Sequence, residues 1–156
     1  MDTEVKSRII SLIVDNEFGV LARVVSLFSA RGYNIEGLNV TEFDSVKKLS
    51  QITIETICNE KSAQMIIKLL ERLIPVYTAK QLKEDATKLY FAIVKIEQSK
   101  LNEALNAKHL NQTDVIQNDG NYAFCKITTL CKEKLEQVLQ NISFVSLVKS
   151  ACIAIE

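Results

Sequence analysis

One order of elements, strand–helix–strand–strand–helix–strand, can be traced twice along this chain of 156 residues, and it limits the folds open to it. The first copy begins with Ser7–Asp15, a short β-branched run that is apolar on both faces and therefore predicts a central strand. Apolar residues then recur at helical spacing, which predicts a helix with one buried face. These residues are Leu21, Val24, Val25 and Phe28.

Three further strands and a second helix complete the first copy. Alternating apolar residues predict strands over Asn34–Phe43 and Leu49–Ile57, and Val76–Leu82 predicts a fourth. Gly32 suits the C-cap of the first helix, and Asn59 suits the N-cap of the second. The second helix is expected to end at Pro75, and its apolar stripe is Ile66, Leu69, Leu70 and Leu73.

The second copy follows a polar linker, Lys83–Lys88. Asp119-Gly120 between two apolar runs is a strong hairpin signal. The predicted strands are Leu89–Ile96, Thr113–Gln117, Asn121–Thr128 and Phe144–Ile155. The predicted helices are Ser99–His109, with Leu101, Ala104 and Leu105, and a later one with Leu135, Val138, Leu139 and Ile142.

This order predicts an α+β protein of two tandem ferredoxin-like βαββαβ domains, residues 1–82 and 83–156. Each domain has one sheet with two helices on one face. The first-helix region of the second domain, Ser99–Gln112, is the weakest part of the pattern.

Composition narrows the functions open to the chain. Nineteen basic and nineteen acidic side chains give no net field for nucleic acid or anionic lipid. The apolar run Ile9–Val14 is too short to span a membrane, and the N-terminus lacks the order of a signal peptide, so we expect a cytoplasmic protein with no membrane partner.

Signals for catalysis or metal binding are poor. The four cysteines are scattered without a C-x-x-C pair, and His109 is the only histidine, so we expect no metal site. The chain has no G-x-G-x-x-G and no P-loop. Nothing pairs a Ser or Cys nucleophile with a recognisable His, and no catalytic residue is assigned.

RNA binding is an alternative because RNA-binding modules share this order of elements and stack bases on aromatic residues of their third strand. That strand in the first domain, Leu49–Ile57, has no aromatic residue. In the second domain Tyr122 and Phe124 lie two apart, on one face. Zero net charge argues against a nucleic-acid partner, and packing on a neighbouring protein surface is the competing interpretation.

The stretch DNEFGVLARV, Asp15 to Val24, lies between the first strand and the first helix. Gly19 at the mouth of a helix permits close backbone approach, and the first turn presents unpaired N–H groups at the positive end of the helix dipole. The stretch therefore suits an anion. Alternatively, Asn16 caps its own helix and Gly19 only relieves crowding.

From Asp15 to Ile35 the sequence closely resembles the small, regulatory subunits of acetolactate synthase (acetohydroxyacid synthase). The family pattern is an acidic residue, N-E-x-G-x-L-x-R-V, L-F and R-G-Y-N-I, and all of it is present. Within it lies the weaker ACT-domain signature D-x-P-G-x-L, with Asn16 in the Asp place and Phe18 in the Pro place. The resemblance identifies the first domain as an ACT domain and covers the layout of the whole chain.

The resemblance implies a subunit that does no chemistry itself. It would activate a separate acetolactate synthase catalytic subunit, which holds thiamine diphosphate, Mg and FAD, so no cofactor is expected in this chain. It would confer feedback inhibition by valine on the first common step toward valine, leucine and isoleucine. A free-standing ACT-type amino-acid sensor without this catalytic partner is the alternative, and co-purification with the catalytic subunit separates the two.

The resemblance also implies a homodimer formed through the ACT domains, with the amino acid between two protomers. Its carboxylate would take N–H bonds from the loop, its ammonium would meet oxygens of Asn34, and its side chain would meet Val20, Leu21 or Ile35. In the ferredoxin-like topology the strand Asn34–Phe43 should be a sheet edge open to a second copy. The expected valine-binding residues are Asn16, Phe18, Gly19, Val20, Leu21, Asn34 and Ile35.

Overall fold

The computed structural model describes residues 4–111 and 114–155, and the chain divides into two compact units. The first unit runs to Thr87 and also includes the residues from Cys152 onward, and the second is Lys88–Ala151. The division falls five residues after the boundary expected at residue 82. Two residues of the predicted elements lie outside the described residues. They are Gln112, the last residue of the weak segment Ser99–Gln112, and Thr113, the first residue of the predicted strand Thr113–Gln117.

The first unit is a four-stranded antiparallel sheet in the order β2-β3-β1-β4. This is the ferredoxin-like topology expected from the sequence, with β2 at one edge. Leu12 of the central strand lies opposite Ile52 on one side and Ala79 on the other. The elements are β1 (Lys6–Asp15), α1 (Val20–Ala30), β2 (Gly37–Asp44), β3 (Leu49–Cys58), α2 (Glu60–Leu70) and β4 (Val76–Gln81).

The core of this unit forms between one face of the sheet and the two helices. Because strand side chains alternate, Ile10, Leu12 and Val14 all point to the same face and are buried in one cluster with helix residues. The α1 stripe is Val20, Val24 and Phe28. Leu21, predicted for that stripe, is 39% exposed, because the helix begins at Val20 and the spacing i, i+4, i+8 from that residue faces the sheet.

The ends of α1 and α2 follow local chemistry. Gly32 adopts φ +70° just after the C-cap Arg31, and the N–H groups of Gly32 and Tyr33 donate to the carbonyls of Ser29 and Phe28. This is a Schellman motif, and the rings of Phe28 and Tyr33 pack edge to face, 6.4 Å apart. Asn59 caps α2, as predicted, by accepting the N–H of Ser62 at 2.9 Å.

Pro75 does not end α2. The helix stops at Leu70, and a turn carries the chain to β4. In this turn the N–H groups of Arg72 and Leu73 donate three residues back, to Leu69 and Leu70. These tighter bonds replace the α-helical pattern before the proline is reached. Leu73 therefore packs against the core from the turn rather than from the predicted helix.

The second unit has the strand order β6-β7-β5-β8. As expected, the Asp119-Gly120 hairpin joins β6 to β7, with Gly120 at φ +90° and the Asp119 carboxylate accepting the N–H groups of Asn121 and Tyr122. These bonds hold the pKa of Asp119 below its usual range, the one from Tyr122 most strongly. The elements are β5 (Thr87–Glu97), α3 (Gln98–Asn106), β6 (Val115–Asn118), β7 (Tyr122–Thr129), α4 (Lys132–Gln140) and β8 (Ser146–Lys149).

The single last strand predicted over Phe144–Ile155 is wrong. The structure has two short strands there, β8 and β9 (Ile153–Ile155). The Ser150 hydroxyl donates to the carbonyl of Ala151 at 2.7 Å, a local bond that competes with continued strand pairing. The chain also passes from the second unit back to the first between Ala151 and Cys152.

No helix in the described ranges is long and apolar enough to cross a membrane.

Candidate functional site

The loop between β1 and α1 is held by its neighbours at one end of the first sheet. The N–H of Asp15 donates to the carbonyl of Pro75 at 2.9 Å, and the N–H of Asn16 donates to the carbonyl of Lys48 at 2.7 Å. The Tyr77 hydroxyl donates to the Asp15 carboxylate at 2.9 Å. The β1–α1 loop therefore lies between the β2–β3 hairpin and the α2–β4 turn, bonded to both.

Helix α1 begins without a side-chain cap from any described residue, and its N-cap is Gly19. Capping of this helix by Asn16, one of the two sequence interpretations, is therefore wrong. Gly19 adopts φ +82°, and a Cβ built there would meet nothing within 4 Å among the described atoms beyond its chain neighbours. The glycine is needed for this left-handed conformation and not to relieve crowding.

The first turn of α1 has general features that suit a small anion. The N–H of Val20 donates to the carbonyl of Glu17 at 3.4 Å, the other leading N–H groups lack intrahelical acceptors, and the positive end of the dipole lies there. Asn16, Glu17 and Phe18 are exposed in front of it. Together with Lys48 they line an open depression.

Lys48 was missed by sequence reasoning. It lies in the predicted loop before β3, with φ +53°. The antiparallel pairing of Asp15 with Leu49 brings this residue to the end of β1. The signal was available in principle, because in a ferredoxin-like sheet the start of the third strand lies beside the end of the first.

Leu21 and Val20 differ in what they offer to a ligand. The side chain of Val20 is only 4% exposed and belongs to the core, so its backbone alone is available at the loop. Leu21 is partly exposed on the first turn of the helix. An apolar ligand group at this loop would therefore meet Leu21 rather than the side chain of Val20.

Asn34 and Ile35 lie beyond the opposite end of α1, whose eleven residues span about 16 Å. The side-chain amide of Asn34 donates to the Glu36 carboxylate at 2.7 Å. The backbone carbonyl of Asn34 accepts a hydrogen bond from the buried Thr56 hydroxyl at 2.6 Å. Ile35 is half-buried against the core. Within a single chain, residues 16–21 therefore lie together and residues 34–35 lie at the other end of α1. A ligand site that uses both segments would need two copies of the chain.

The pKa of Tyr77 is raised by its surroundings at the loop. The hydrogen bond to the Asp15 carboxylate raises the pKa of the exposed Tyr77 phenol, and the negative charges of Asp15 and Glu17 add to the shift. The neutral phenol is favoured because only it can donate to the carboxylate.

The other candidate groups lie apart from this loop. The Lys95 ammonium is 3.9 Å from the centroid of the Tyr122 ring and 5.7 Å from that of Phe124, so it engages the rings on which a base would stack. His109 is half-buried after α3. Within the described residues no three His, Cys, Asp or Glu side chains lie close enough together to hold a metal ion.

Comparison with known proteins identifies the family and the fold. The family model described as "AHAS small subunit-like ACT domain" matches residues 10–78. The Thermotoga maritima acetolactate synthase small subunit has the same fold, with a TM-score of 0.81, 96% of each chain covered and 21% sequence identity.

Among curated relatives, the Escherichia coli acetolactate synthase isozyme 3 small subunit is 42% identical over 93 residues, which are 59% of this chain and 56% of that protein. The chain spans about half the length of several such relatives. The Mycobacterium bovis acetolactate synthase small subunit is 34% identical over 116 residues, 70% of this chain and 68% of that protein. On this match the chain belongs to the family of acetolactate synthase small subunits.

Proposed function

We propose that this chain activates an acetolactate synthase catalytic subunit and confers feedback inhibition by valine. The observation that carries the proposal is the β1–α1 loop, which combines the family motif with an uncapped helix start preceded by a left-handed Gly19. The anionic end of an amino acid fits this backbone. The chain itself would do no chemistry, and thiamine diphosphate, Mg and FAD would be held by the partner.

The valine site we propose is shared by two copies. The carboxylate accepts backbone N–H groups from residues 17–21 of one copy, because the N–H of Asn16 already donates to Lys48, while the ammonium meets oxygens of Asn34 from the other. Within a chain the Asn34 amide donates to Glu36 through its NH₂ group, which leaves its amide oxygen to accept. The isopropyl group lies against Leu21 and Ile35.

This site would distinguish amino acids by the size of the apolar side chain, but would separate valine from leucine and isoleucine only moderately. Burial of an isopropyl group contributes about 1.5–3 kcal/mol, and one methylene more or less changes affinity by only about 10–200-fold. Leucine and isoleucine should therefore act at the same site with weaker potency. Because the chain acts through its partner, the effect is a coupling free energy, typically about 1–3 kcal/mol.

Two copies would pair along β2. It is an edge of the first sheet, with Val40 exposed on it, and an open apolar edge tends to associate unless paired. A two-fold axis at this edge would bring the start of α1 of one copy towards the segment before β2 of the other. The same contact would thus complete the dimer and the ligand site.

The test is acetolactate formation by the purified catalytic subunit, with and without this chain, over a valine titration. We expect the chain to raise the rate and valine to reverse the increase, while the chain alone forms no acetolactate. A catalytic rate that the chain does not change, with no co-purification of the two proteins, would support a free-standing amino-acid sensor instead.

A further inference from the structure

Three large apolar side chains are fully exposed at the end of the first sheet that carries the proposed ligand loop. Phe18 is 105% exposed, Ile74 97% and Val46 91%. They lie on three different connections: the β1–α1 loop, the α2–β4 turn and the β2–β3 hairpin. We call these three residues the apical patch. Single exposed apolar residues are ordinary, but three at full exposure on one end of a domain indicate an interaction surface.

Hydrogen bonds hold the apical patch together. Asp15 donates to Pro75, the residue after Ile74, and Asn16 donates to Lys48, two residues after Val46. Phe18 follows Asn16 by two residues and lines the same depression as Lys48. Since each residue of extended chain spans at most about 3.6 Å, these bonds keep the three side chains within one local surface.

Area and charge indicate what covers this surface. The three side chains expose on the order of 500 Å², below the roughly 800 Å² per partner of a stable protein pair, so they suit the apolar centre of a larger interface. Glu17 and Lys48, of opposite sign, border the patch. That mixture fits a protein surface better than the uniform negative charge of a nucleic acid or an acidic membrane.

A second copy of this chain is not the occupant we favour. Pairing of two copies would use the free backbone of the edge strand β2, whereas the patch extends across the sheet end as far as the turn before β4, at the opposite edge. A partner that touches Phe18 also touches the loop proposed to hold the ligand. We propose, on the basis of the function proposed above, that the apical patch is the docking surface for the catalytic subunit.

Because Phe18 belongs to both the proposed ligand loop and the apical patch, ligand binding would act directly on the surface that contacts the catalytic subunit. A carboxylate that binds the N–H groups of the loop would contact the segment that carries Phe18. Asp15 at the end of β1 is bonded to the turn carrying Ile74, and Asn16 to the hairpin carrying Val46, so a displacement of the loop would reach all three docking residues. Valine would then change the affinity or the productive geometry of the catalytic subunit without a path through the core.

The experiment compares two triple variants. Phe18→Ser, Val46→Ser and Ile74→Ser remove the apical patch. The control removes the same residue types from exposed positions of the second unit: Phe144→Ser, Val148→Ser and Ile116→Ser. Each chain is titrated into the catalytic subunit without valine and the concentration for half-maximal activation is measured, together with circular dichroism and sedimentation.

We expect the patch variant to need at least tenfold more protein for half-maximal activation, while its fold and dimerisation stay as in the wild type and the control activates normally. Normal activation by a folded patch variant would overturn the docking proposal while leaving the proposed function intact. Conversion of the patch variant to a monomer would also overturn it, by assigning the patch to a second copy. If the wild type itself fails to activate, the proposed function fails first.

Discussion

At the scale of single residues, Gly19 affects both the backbone conformation of the β1–α1 loop and the proposed binding of the ligand there. Gly19→Asp should abolish valine inhibition of whatever activity the variant supports. The left-handed φ of +82° costs a side chain roughly 1–2 kcal/mol, offset in part by about 0.3–1 kcal/mol from the helix dipole. A bound carboxylate would meet a like charge, costing on the order of 1–4 kcal/mol.

Gly120→Asp is the matched control for this prediction. Gly120 also has a left-handed φ, of +90°, with open space among the described atoms where a Cβ would lie, but it belongs to the hairpin of the second unit. Both variants should melt at similar, slightly lowered temperatures, and only Gly19→Asp should lose valine sensitivity, by more than tenfold in the inhibitory concentration. Full sensitivity of Gly19→Asp would show that the ligand does not bind at this loop.

Tyr77 reports on the same loop through its pKa. Asp15 raises that pKa, first by accepting the phenol hydrogen bond and then by its charge, so Tyr77 should ionise above the ordinary range for tyrosine. The stabilisation is complete below the unfolded pKa and is lost as pH rises through the folded one. Asp15→Asn should lower the titration midpoint of this tyrosine, measured by absorbance at alkaline pH against Tyr77→Phe. An unchanged titration would contradict the hydrogen bond.

At the scale of helices and strands, the Asn59 cap gives a clean prediction for stability. Asn59→Ala removes the acceptor for the Ser62 N–H and should destabilise the protein by about 1 kcal/mol. Glu97→Ala is the comparison, because Glu97 is the N-cap of α3 and its side chain accepts no capping hydrogen bond from a described backbone N–H. Urea unfolding followed by circular dichroism measures both. Equal losses in the two variants would argue that the cap bond contributes little.

The same scale shows what could be predicted from the sequence and why. Asn59, Gly32 and Asp119-Gly120 were placed correctly because each acts on backbone groups within a few residues of itself. The errors arose where tertiary context decides. Leu21 fits a helical stripe as well as Val20, and only the start of the helix against the sheet selects between them. The loop motif was recognisable, but the contribution of Lys48 depends on strand pairing across the sheet.

At the scale of the whole molecule, the separation of the loop from Asn34 and Ile35 makes the proposed site depend on dimerisation. The wild type should sediment as a dimer at micromolar concentration. Val40→Lys puts a charge on the open edge β2 and should raise the dimer dissociation constant at least tenfold, which is about 1.4 kcal/mol. Because each site takes residues from two copies, valine sensitivity should fall in parallel with the dimer.

Val148→Lys makes the same substitution on β8 of the second unit, where the valine is also exposed. It should leave both the dimer and valine sensitivity unchanged, since neither the proposed pairing edge nor the ligand loop lies in that unit. If Val148→Lys dissociates the dimer and Val40→Lys does not, pairing runs through the second unit. The loop of one copy would then have no reason to meet Asn34 of the other, and the ligand would have to bind within residues 16–21 of a single chain, with the ammonium facing Glu17 instead.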